Sequence, residues 1–300
     1  MCETCGCSDG AAVKVVNLKT AKPRDPPSEH PLGDTHYHAY HIHDAANSHL
    51  YDHSHNHDDD HIHDHHHHSH ASTVLIERDV LAKNASLAAR NRAWFTGREI
   101  LVLNLVSGPG AGKTTLLERT VRELRHKQTF FVIEGDQATS NDGLRIKAAG
   151  APVVQINTGS GCHLDAAMVA RGLAELKPSF GSVLMIENVG NLVCPALFDL
   201  GESAKVAILS VTEGDDKPVK YPHMFQAASL LLINKMDLLP YVEFDLDRCQ
   251  SYARQVNPSI DMMTLSATTG EGLETWFDWI SAASRRERGV TFPQPAEAAP

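Results

Sequence analysis

The sequence of 300 residues predicts an α/β domain built on a doubly wound, mostly parallel sheet, with a disordered region in front of it. Apolar runs alternate with helical stretches across residues 98–290, the βαβα order that parallel sheets require. Runs such as ILVLNLV are apolar on both faces, as strands covered by helices on each side are. The predicted strands are 99–107, 129–136, 151–157, 182–190, 205–211, 228–237 and 261–267.

The composition limits what the chain binds. A hydrophobic fraction of 42% is enough for a core, and a formal net charge of −10 disfavours nucleic acid, whose phosphates favour an excess of Lys and Arg. The sequence has neither an apolar run long enough to cross a membrane nor a secretory signal. We therefore expect a cytoplasmic protein that binds neither nucleic acid nor membrane, and whose six cysteines are metal ligands, reactive thiols or core residues.

Three cysteines, Cys2, Cys5 and Cys7, lie in the opening stretch MCETCGC. A structural zinc site usually has four ligands and closes a fold, whereas this stretch offers three thiols in front of a low-complexity segment. If Met1 is removed, the amine of Cys2 completes a planar set of three thiolates and one amine that suits Ni²⁺. We interpret residues 1–10 as a mobile metal-binding motif.

Residues 11–71 form a tract rich in His and Asp, and 16 of the 19 histidines fall between His30 and His70. Branched aliphatic residues are too few there to offset the entropy of ordering the chain, so the tract is predicted to be disordered. Gathered imidazoles bind Ni, Cu, Zn and Co, which predicts weak metal binding by the tract. The alternatives are a solvated linker or a purification tag, and a tag is disfavoured because the longest run, His65 to His68, is embedded in Asp and Ser.

A leading helix is predicted at 72–97, where apolar residues recur at helical spacing and Ser72 or Thr73 can cap the amino terminus. The α/β domain is predicted to follow at 98–290. The last residues, 291–300, are predicted to be a flexible tail.

The stretch SGPGAGKTT follows the first predicted strand and opens a helix. Such a turn presents backbone N–H groups to phosphates, while Lys113 reaches the terminal phosphates and Thr114 ligates Mg²⁺. Ser107 stands at the first glycine position of the usual pattern, but Gly110 and Gly112 are retained. The nucleotide-binding residues predicted here are Gly108, Pro109, Gly110, Ala111, Gly112, Lys113, Thr114 and Thr115.

Two later stretches indicate that the base is guanine. In NKMD, the Asp237 carboxylate can accept hydrogen bonds from the N1–H and 2-amino group of guanine, while Asn234 and Lys235 brace and cover the base. In SATTGEG, which begins at Ser266, the backbone N–H of Ala267 is expected to donate to the guanine O6. Together with the phosphate loop, these stretches predict a P-loop GTPase domain that binds GTP.

Carboxylates at the ends of neighbouring strands are expected to hold Mg²⁺. Asp136 closes the second predicted strand, and Glu187 begins ENVG at the end of the fourth, where GTPases usually have DxxG. Whether Glu187 contacts Mg²⁺ directly or through water is open, and Asp136 has the alternative role of a helix cap. Lys113, Asp136 and Glu187 form the predicted catalytic set. The sequence does not identify a residue that positions water, so we expect slow intrinsic hydrolysis.

A second metal site is predicted from Cys162, His163 and Cys194, which follow the third and fourth predicted strands. The carboxyl ends of parallel strands meet at one edge of a sheet, so these ligands should lie on the nucleotide side. Three ligands leave one coordination position open, or accept a ligand from a second subunit, which suggests a nucleotide-gated dimer. Cys249 lies on an apolar helical stripe and is predicted to be a core residue.

The motifs, taken in order, resemble the HypB family of hydrogenase nickel-incorporation GTPases. The resemblance covers essentially the whole chain and rests on MCxxCGC, the His-rich tract, SGPGAGKTT, EGD, NTGSGCHLDA, ENVGNLVCP and NKMD. It implies an accessory protein that inserts nickel into [NiFe] hydrogenase and forms a homodimer when GTP is bound. The implied partners are a HypA-like nickel-binding accessory protein and the precursor of the hydrogenase large subunit.

The resemblance also implies roles for the metal ligands. Cys2, Cys5 and Cys7 match the tight nickel site of family members that have one, and Cys162, His163 and Cys194 match a nickel or zinc site at the dimer interface. The His-rich tract varies within the family, so its storage role rests on composition. The sequence leaves open which metal binds each site, how much nickel the tract holds and which hydrogenase is served.

Three other classes compete with this interpretation. The related urease accessory GTPase also has a His-rich amino terminus, but its metal motif is Cys-Pro-His, whereas here Cys-His is separated from a distant Cys-Pro. A metal storage protein with a degenerate GTPase domain is distinguished by measuring GTP turnover. A translation-type GTPase is disfavoured by the acidic charge and the metal ligands.

Overall fold

The computed structural model describes residues 14–18, 69–136, 141–159 and 161–289. The predicted Cys motif at 1–10, most of the His-rich tract and the tail at 291–300 lie outside the described residues. The chain divides into one unit of Met1–Ala21 and Ile76–Pro300 and another of Lys22–Leu75. Of the second unit, the structure describes only the first residues of a helix.

Eight strands form one sheet in the order β1-β4-β3-β5-β2-β6-β7-β8. The strands are β1 (Lys14–Asn17), β2 (Leu101–Ser107), β3 (Phe130–Asp136), β4 (Val153–Asn157), β5 (Val183–Glu187), β6 (Ala204–Ser210), β7 (Leu230–Asn234) and β8 (Asp261–Thr264). All neighbouring pairs are parallel except β1 with β4, which is antiparallel. The predicted doubly wound, mostly parallel sheet is therefore confirmed.

Helices cover both faces of this sheet. They are α1 (Ser69–Thr96), α2 (Lys113–Leu124), α3 (Asn141–Ala149), α4 (Ala166–Leu176), α5 (Cys194–Leu197), α6 (Lys217–Lys220), α7 (Pro222–Ala227), α8 (Leu246–Val256) and α9 (Leu273–Glu287), with a 3₁₀ helix at Met236–Tyr241. Every residue of β2 is buried, with Leu103 and Val102 in different core clusters, because successive side chains of a strand point to opposite faces. No helix in the described part of the chain is long and apolar enough to cross a membrane.

The amino-terminal part of the prediction needs a correction. Residues 11–71 are predicted to be disordered, yet Lys14–Asn17 forms the edge strand β1, and Leu18 behind it is only 4% exposed. A run of four residues is too short to identify a strand, and its partner β4 lies far along the chain. The helix α1 also begins at Ser69, so Ser72 and Thr73 lie inside the helix and are not its N-cap.

Cys249 lies in the core, as its helical stripe predicts. On α8 it is fully buried together with Ala253, and Leu246 and Val256 pack partly buried beside them. Burial raises the pKa of the Cys249 thiol to about 12, so this thiol stays protonated and unreactive.

Candidate nucleotide and metal site

The predicted site residues lie in loops at the carboxyl ends of the strands. The phosphate loop follows β2, the Cys162 loop follows β4, and NKMD begins at the last residue of β7. Because β2 to β8 are parallel, these loops emerge at the same edge of the sheet.

Close packing explains the glycines of the phosphate loop. Gly112 has a φ of 96°, and a Cβ on it would lie 2.6 Å from Asn234 Nδ2. A Cβ on Gly108 would clash with the Glu213 carboxylate. Gly190, the last residue of ENVG, packs against Pro109, whose Cα would be 3.2 Å from an added Cβ. The loop is therefore enclosed by residues that follow β5, β6 and β7.

Lys113 is held inside this loop and is only 8% exposed. Its Nζ donates to Ser107 Oγ at 2.8 Å, so the serine at the first glycine position of the motif positions the ammonium. Burial lowers the pKa of Lys113, and the nearby carboxylates of Glu187 and Glu213 oppose that effect. An incoming phosphate would supply the negative charge that a buried ammonium needs.

Thr114 and Glu187 contact each other directly. The Thr114 hydroxyl donates to Glu187 Oε1 at 2.7 Å, and Glu187 is 5% exposed. Its Oε2 is buried and has no hydrogen-bond partner among the described residues. Burial raises the pKa of Glu187 to about 7, against the opposing effects of Lys113 and Thr114. A buried carboxylate oxygen without a partner beside a threonine hydroxyl fits Mg²⁺, which prefers oxygen ligands.

Glu134 lies beside this pair, although no role was predicted for it from the sequence. Glu134 is opposite Glu187 in the register of β3 and β5, and Asp136 lies two residues further along β3. Glu134 is 3% exposed, and its buried Oε2 has no hydrogen-bond partner in the described part of the chain. Burial and, secondly, the charge of Glu187 raise the pKa of Glu134 to about 9. A charged residue inside the apolar strand FFVIEGD was the signal for it.

The two guanine stretches are joined to the phosphate loop by Asn234. Its Nδ2 donates to the carbonyl of Ala111 at 2.9 Å, and its Oδ1 accepts from the backbone N–H of Ala267 at 3.0 Å. Lys235 Nζ donates to the carbonyl of Gly110 at 2.8 Å. The Ala267 amide is thus already bonded to Asn234, so its expected donation to guanine O6 stays a prediction.

Asp237 and Thr115 complete the predicted nucleotide-binding set. Asp237 Oδ1 accepts from the Ser266 hydroxyl at 2.5 Å, which joins NKMD to the SATTGEG stretch. Thr115 lies in the first turn of α2, and its hydroxyl is 3.4 Å from Arg145 Nη2 on α3. The structure thus brings Asp237 and Ser266 together and turns Thr115 toward α3.

Cys162, His163 and Cys194 converge, and one ligand atom from each lies within 4.8 Å of the others. Cys162 Sγ is 2.8 Å from Cys194 Sγ and 3.6 Å from His163 Nδ1. Burial lowers the pKa of His163, which favours the neutral imidazole that binds metals. The His163 ring packs on Phe198, with 3.9 Å between ring centroids. Two thiols and one imidazole are ligands suited to Ni²⁺ and Zn²⁺.

Asn188 links the nucleotide side to the metal ligands. It follows Glu187 and is 1% exposed. Its Oδ1 accepts from the backbone N–H of Leu164, the residue after His163, at 3.1 Å, and its Nδ2 donates to Asn104 Oδ1 at 3.3 Å. Asn188 was not predicted from the sequence, because an asparagine after a strand is typical of many loops.

A parallel sheet with a phosphate loop at the carboxyl end of β2 defines a P-loop nucleotide-binding protein, and a cluster of two thiols and one imidazole that could hold a metal ion lies on the same edge of the sheet. The sequence profile of the family "CobW/HypB/UreG, nucleotide-binding domain" matches residues 101–264. Hydrogenase maturation factor HypB of Escherichia coli (strain K12) is 47% identical over 93% of this chain and 98% of its own. The chain therefore belongs to the HypB family of P-loop GTPases.

Other relatives agree with this assignment. Hydrogenase maturation factor HypB of Azotobacter vinelandii is 58% identical over 72% of this chain and 70% of its own. The crystal structure of HypB from Archaeoglobus fulgidus is 36% identical, with a TM-score of 0.64 over 68% of this chain and 99% of that chain. The structure of HypB from Helicobacter pylori in complex with nickel is 33% identical, with a TM-score of 0.64 over 71% of this chain and 99% of that chain.

Proposed function

We propose that this protein is a GTP-hydrolysing metallochaperone that binds nickel and assists its insertion into the active site of [NiFe] hydrogenase. The observation that carries the proposal is the convergence of Cys162, His163 and Cys194 on the sheet edge that also holds the phosphate loop. Membership of the HypB family and the nickel complex of a relative support it.

GTP hydrolysis would rest on positioning and charge neutralisation. Lys113 holds the terminal phosphates, and Thr114 and Glu187 hold Mg²⁺, with Asp136 as the further ligand proposed from the end of β3. Mg²⁺ would neutralise the charge that develops on the transferred phosphoryl group. The buried Oε2 of Glu187 supports a cation at this position. We expect slow intrinsic hydrolysis.

Nucleotide state and metal binding would be coupled. GTP is proposed to favour a homodimer and to move Cys194 relative to Cys162 and His163, with nickel or zinc as the bound metal. The hydrogen bond from Leu164 to Asn188 supports this coupling because it joins the residue after His163 to the residue after Glu187. Coupling of this kind is reciprocal, so metal should change nucleotide affinity by the same factor.

The amino-terminal segments would supply nickel to this site. Cys2, Cys5 and Cys7 are proposed as the tight nickel site, and the tract from His30 to His70 as a weaker store; both lie outside the described residues. The proposed partners are a HypA-like nickel-binding accessory protein and the hydrogenase large-subunit precursor, and the proposed compartment is the cytoplasm.

Nickel titrations of the protein with GDP and with a non-hydrolysable GTP analogue test the coupling. We expect affinities that differ by about fivefold or more, the lower end of typical allosteric coupling. The control is Cys162→Ala, which should remove the nucleotide-dependent part of the binding. Equal affinity and unchanged coordination in both nucleotide states would contradict the proposal.

The second candidate is a metal storage protein whose GTPase domain is only a scaffold, a function favoured by the length of the His-rich tract. Lys113→Ala distinguishes the two, because a scaffold does not need the buried ammonium that faces the phosphates. We expect the variant to lose GTP turnover and to fail to restore hydrogenase activity to a deletion strain at limiting nickel. Normal maturation by this variant would favour storage, and rescue of the strain by excess nickel but not zinc would identify the metal.

A further inference from the structure

Two buried asparagines of α1 contact the segments that follow the metal ligands. Asn84 and Asn91 are each 6% exposed, and their spacing of seven residues places them on the same helix face, with the fully buried Ala88 between them. Asparagine is a poor helix former, and a buried amide is costly unless it is hydrogen-bonded. The positions of their partners explain why these residues lie there.

Asn84 joins two segments that are distant in sequence. Its Oδ1 accepts from the backbone N–H of Ala166 at 2.9 Å, and its Nδ2 donates to the carbonyl of Asp199 at 2.8 Å. Asn91, two turns further along the helix, makes the same connection. Its Nδ2 donates to the carbonyls of Ala166 at 2.9 Å and Leu200 at 3.1 Å. Each asparagine therefore bridges the start of α4 and the residues after α5.

These two segments carry the metal ligands. Ala166 lies three residues after His163, and Asp199 lies five residues after Cys194. Between them, Phe198 packs on the His163 ring. The distance between Cys194 and the Cys162–His163 pair therefore depends on how these two segments are held together.

Further contacts fix α1 against the second segment. Arg92 Nη2 donates to both Asp199 carboxylate oxygens, at 2.7 and 2.9 Å. A Cβ on Gly201 would lie 2.7 Å from the carbonyl oxygen of Ala88 and 2.8 Å from the backbone nitrogen of Arg92, so only glycine permits this approach. The helix and the segment are thus packed backbone to backbone, which makes the two asparagine bridges rigid.

We propose that Asn84 and Asn91 are positioning residues of the metal site, through which α1 sets the separation of Cys162 and His163 from Cys194. The proposal rests on the proposed metal-binding role of these three residues. Neither asparagine is a proposed metal ligand, and both act through Ala166 and the 199–200 segment. Loss of groups that orient metal ligands typically lowers metal affinity by about ten- to hundredfold.

The test uses the full chain with Cys2→Ala, Cys5→Ala and Cys7→Ala, so that Cys162 and Cys194 are the thiols available for metal at this site. Co²⁺ titration is followed by the thiolate-to-metal charge-transfer absorption, to which the His-rich tract does not contribute. The variants are Asn84→Ala with Asn91→Ala and, as a milder change, Asn84→Ala alone, which leaves the hydrogen bonds of Asn91 in place. GDP affinity is measured in each variant to show that the nucleotide site is intact.

The matched control is Asn257→Ala. Asn257 is also a buried asparagine, 9% exposed, and donates to the carbonyls of Phe225 at 3.1 Å and Ala228 at 2.9 Å, neither of which belongs to the segments that Asn84 and Asn91 bridge. It reports the effect of removing an amide that only stabilises the fold.

The expected result is an affinity for Co²⁺ about tenfold or more lower in the double variant, with an altered absorption spectrum, a smaller loss in Asn84→Ala alone, and GDP affinity unchanged. Unchanged affinity and spectrum, or an equal loss in Asn257→Ala, would overturn the positioning role. The parent protein should show a thiolate absorption that Cys162→Ala removes. If it does not, the proposed metal site itself is wrong, and this outcome is seen without the asparagine variants.

Discussion

Gly110 and Gly112 both have positive φ angles, yet the structure assigns them different requirements. Their φ values are 73° and 96°, a region that costs an L-residue about 1–2 kcal/mol. A Cβ on Gly110 would have nothing within 4 Å, whereas a Cβ on Gly112 would lie 2.6 Å from Asn234 Nδ2. At Gly112, but not at Gly110, the absence of a Cβ leaves room for the side chain of Asn234.

Gly112→Ala should therefore weaken GDP binding more than Gly110→Ala does. The two variants share the backbone strain, but only Gly112→Ala displaces Asn234, which joins Ala111 to Ala267. We expect a further loss of about tenfold, as for one broken buried hydrogen bond. Titration with a fluorescent GDP derivative measures it, and equal losses in the two variants would contradict this reading of the loop.

Glu134 and Glu187 are two buried carboxyl groups on neighbouring strands, and both have raised pKa values. A carboxyl group with a raised pKa binds a proton in the folded state that the unfolded chain has released. Its contribution to folding stability therefore falls as pH rises from the unfolded value of 4.5 to the folded value of about 9 for Glu134.

Glu134→Gln should stabilise the metal-free protein at about pH 8 and leave it nearly unchanged at about pH 4. Glutamine has no proton to release, so the variant avoids the cost of keeping a buried carboxyl neutral. We expect a gain of roughly 1–3 kcal/mol in the free energy of unfolding by urea. The control is the exposed Glu243→Gln. A variant that is equally destabilised at both pH values would refute the raised pKa of Glu134.

At the scale of elements, β1 extends the sheet beyond the predicted domain. The strand pairs antiparallel with β4, and the next residue, Leu18, joins the core cluster that contains Ile146 of α3. A Cβ on Gly143 would lie 2.7 Å from Leu18 Cδ1, which shows how closely α3 packs on this residue. Residues 14–18 are therefore part of the domain.

Leu18→Ala should destabilise the protein by about 2–4 kcal/mol, because it removes a buried side chain and leaves a cavity. The matched control is Leu144→Ala on α3, where the side chain is 50% exposed and the loss should be below about 0.5 kcal/mol. Urea unfolding of both variants measures the difference. Equal stability of the Leu18 and Leu144 variants would mean that β1 does not contribute to the fold in solution.

At the scale of the whole molecule, the ligand set at Cys162, His163 and Cys194 has three donors, one fewer than a closed tetrahedral site. Cys194 begins α5, while Val193 and Leu197 beside it are 51% and 54% exposed. A second copy of the chain could cover this exposed apolar surface and supply a further ligand. The proposed dimer would therefore place the metal at its interface.

Sedimentation should show a monomer with GDP and a species of twice that mass with Mg²⁺ and a non-hydrolysable GTP analogue. A nucleotide shifts the equilibrium between monomer and dimer only if it binds the two with different affinities. The size of the shift therefore measures that difference in affinity. Lys113→Ala is the control, because it should bind the analogue poorly and remain monomeric. Identical sedimentation in both nucleotide states would exclude GTP-dependent dimerisation.

The sequence by itself determined the parallel sheet, the phosphate loop and the convergence of Cys162, His163 and Cys194 on one edge of the sheet. The phosphate loop and the stretches NKMD and SATTGEG are short contiguous motifs, so the local order of residues reveals them. Cys194 is distant from Cys162 in sequence, and its position was predictable because the carboxyl ends of parallel strands share one edge.

Only the tertiary structure decided which further residues lie beside the nucleotide site and the metal ligands. Glu134 matters through its strand register with Glu187, Asn188 through its contact with Leu164, and Asn84 through its bridge between Ala166 and Asp199. Their partners lie from 24 to 115 positions away in the chain, so local spacing carries no trace of them. The same reason hid β1, since a short strand is stable only when a distant strand offers it an edge.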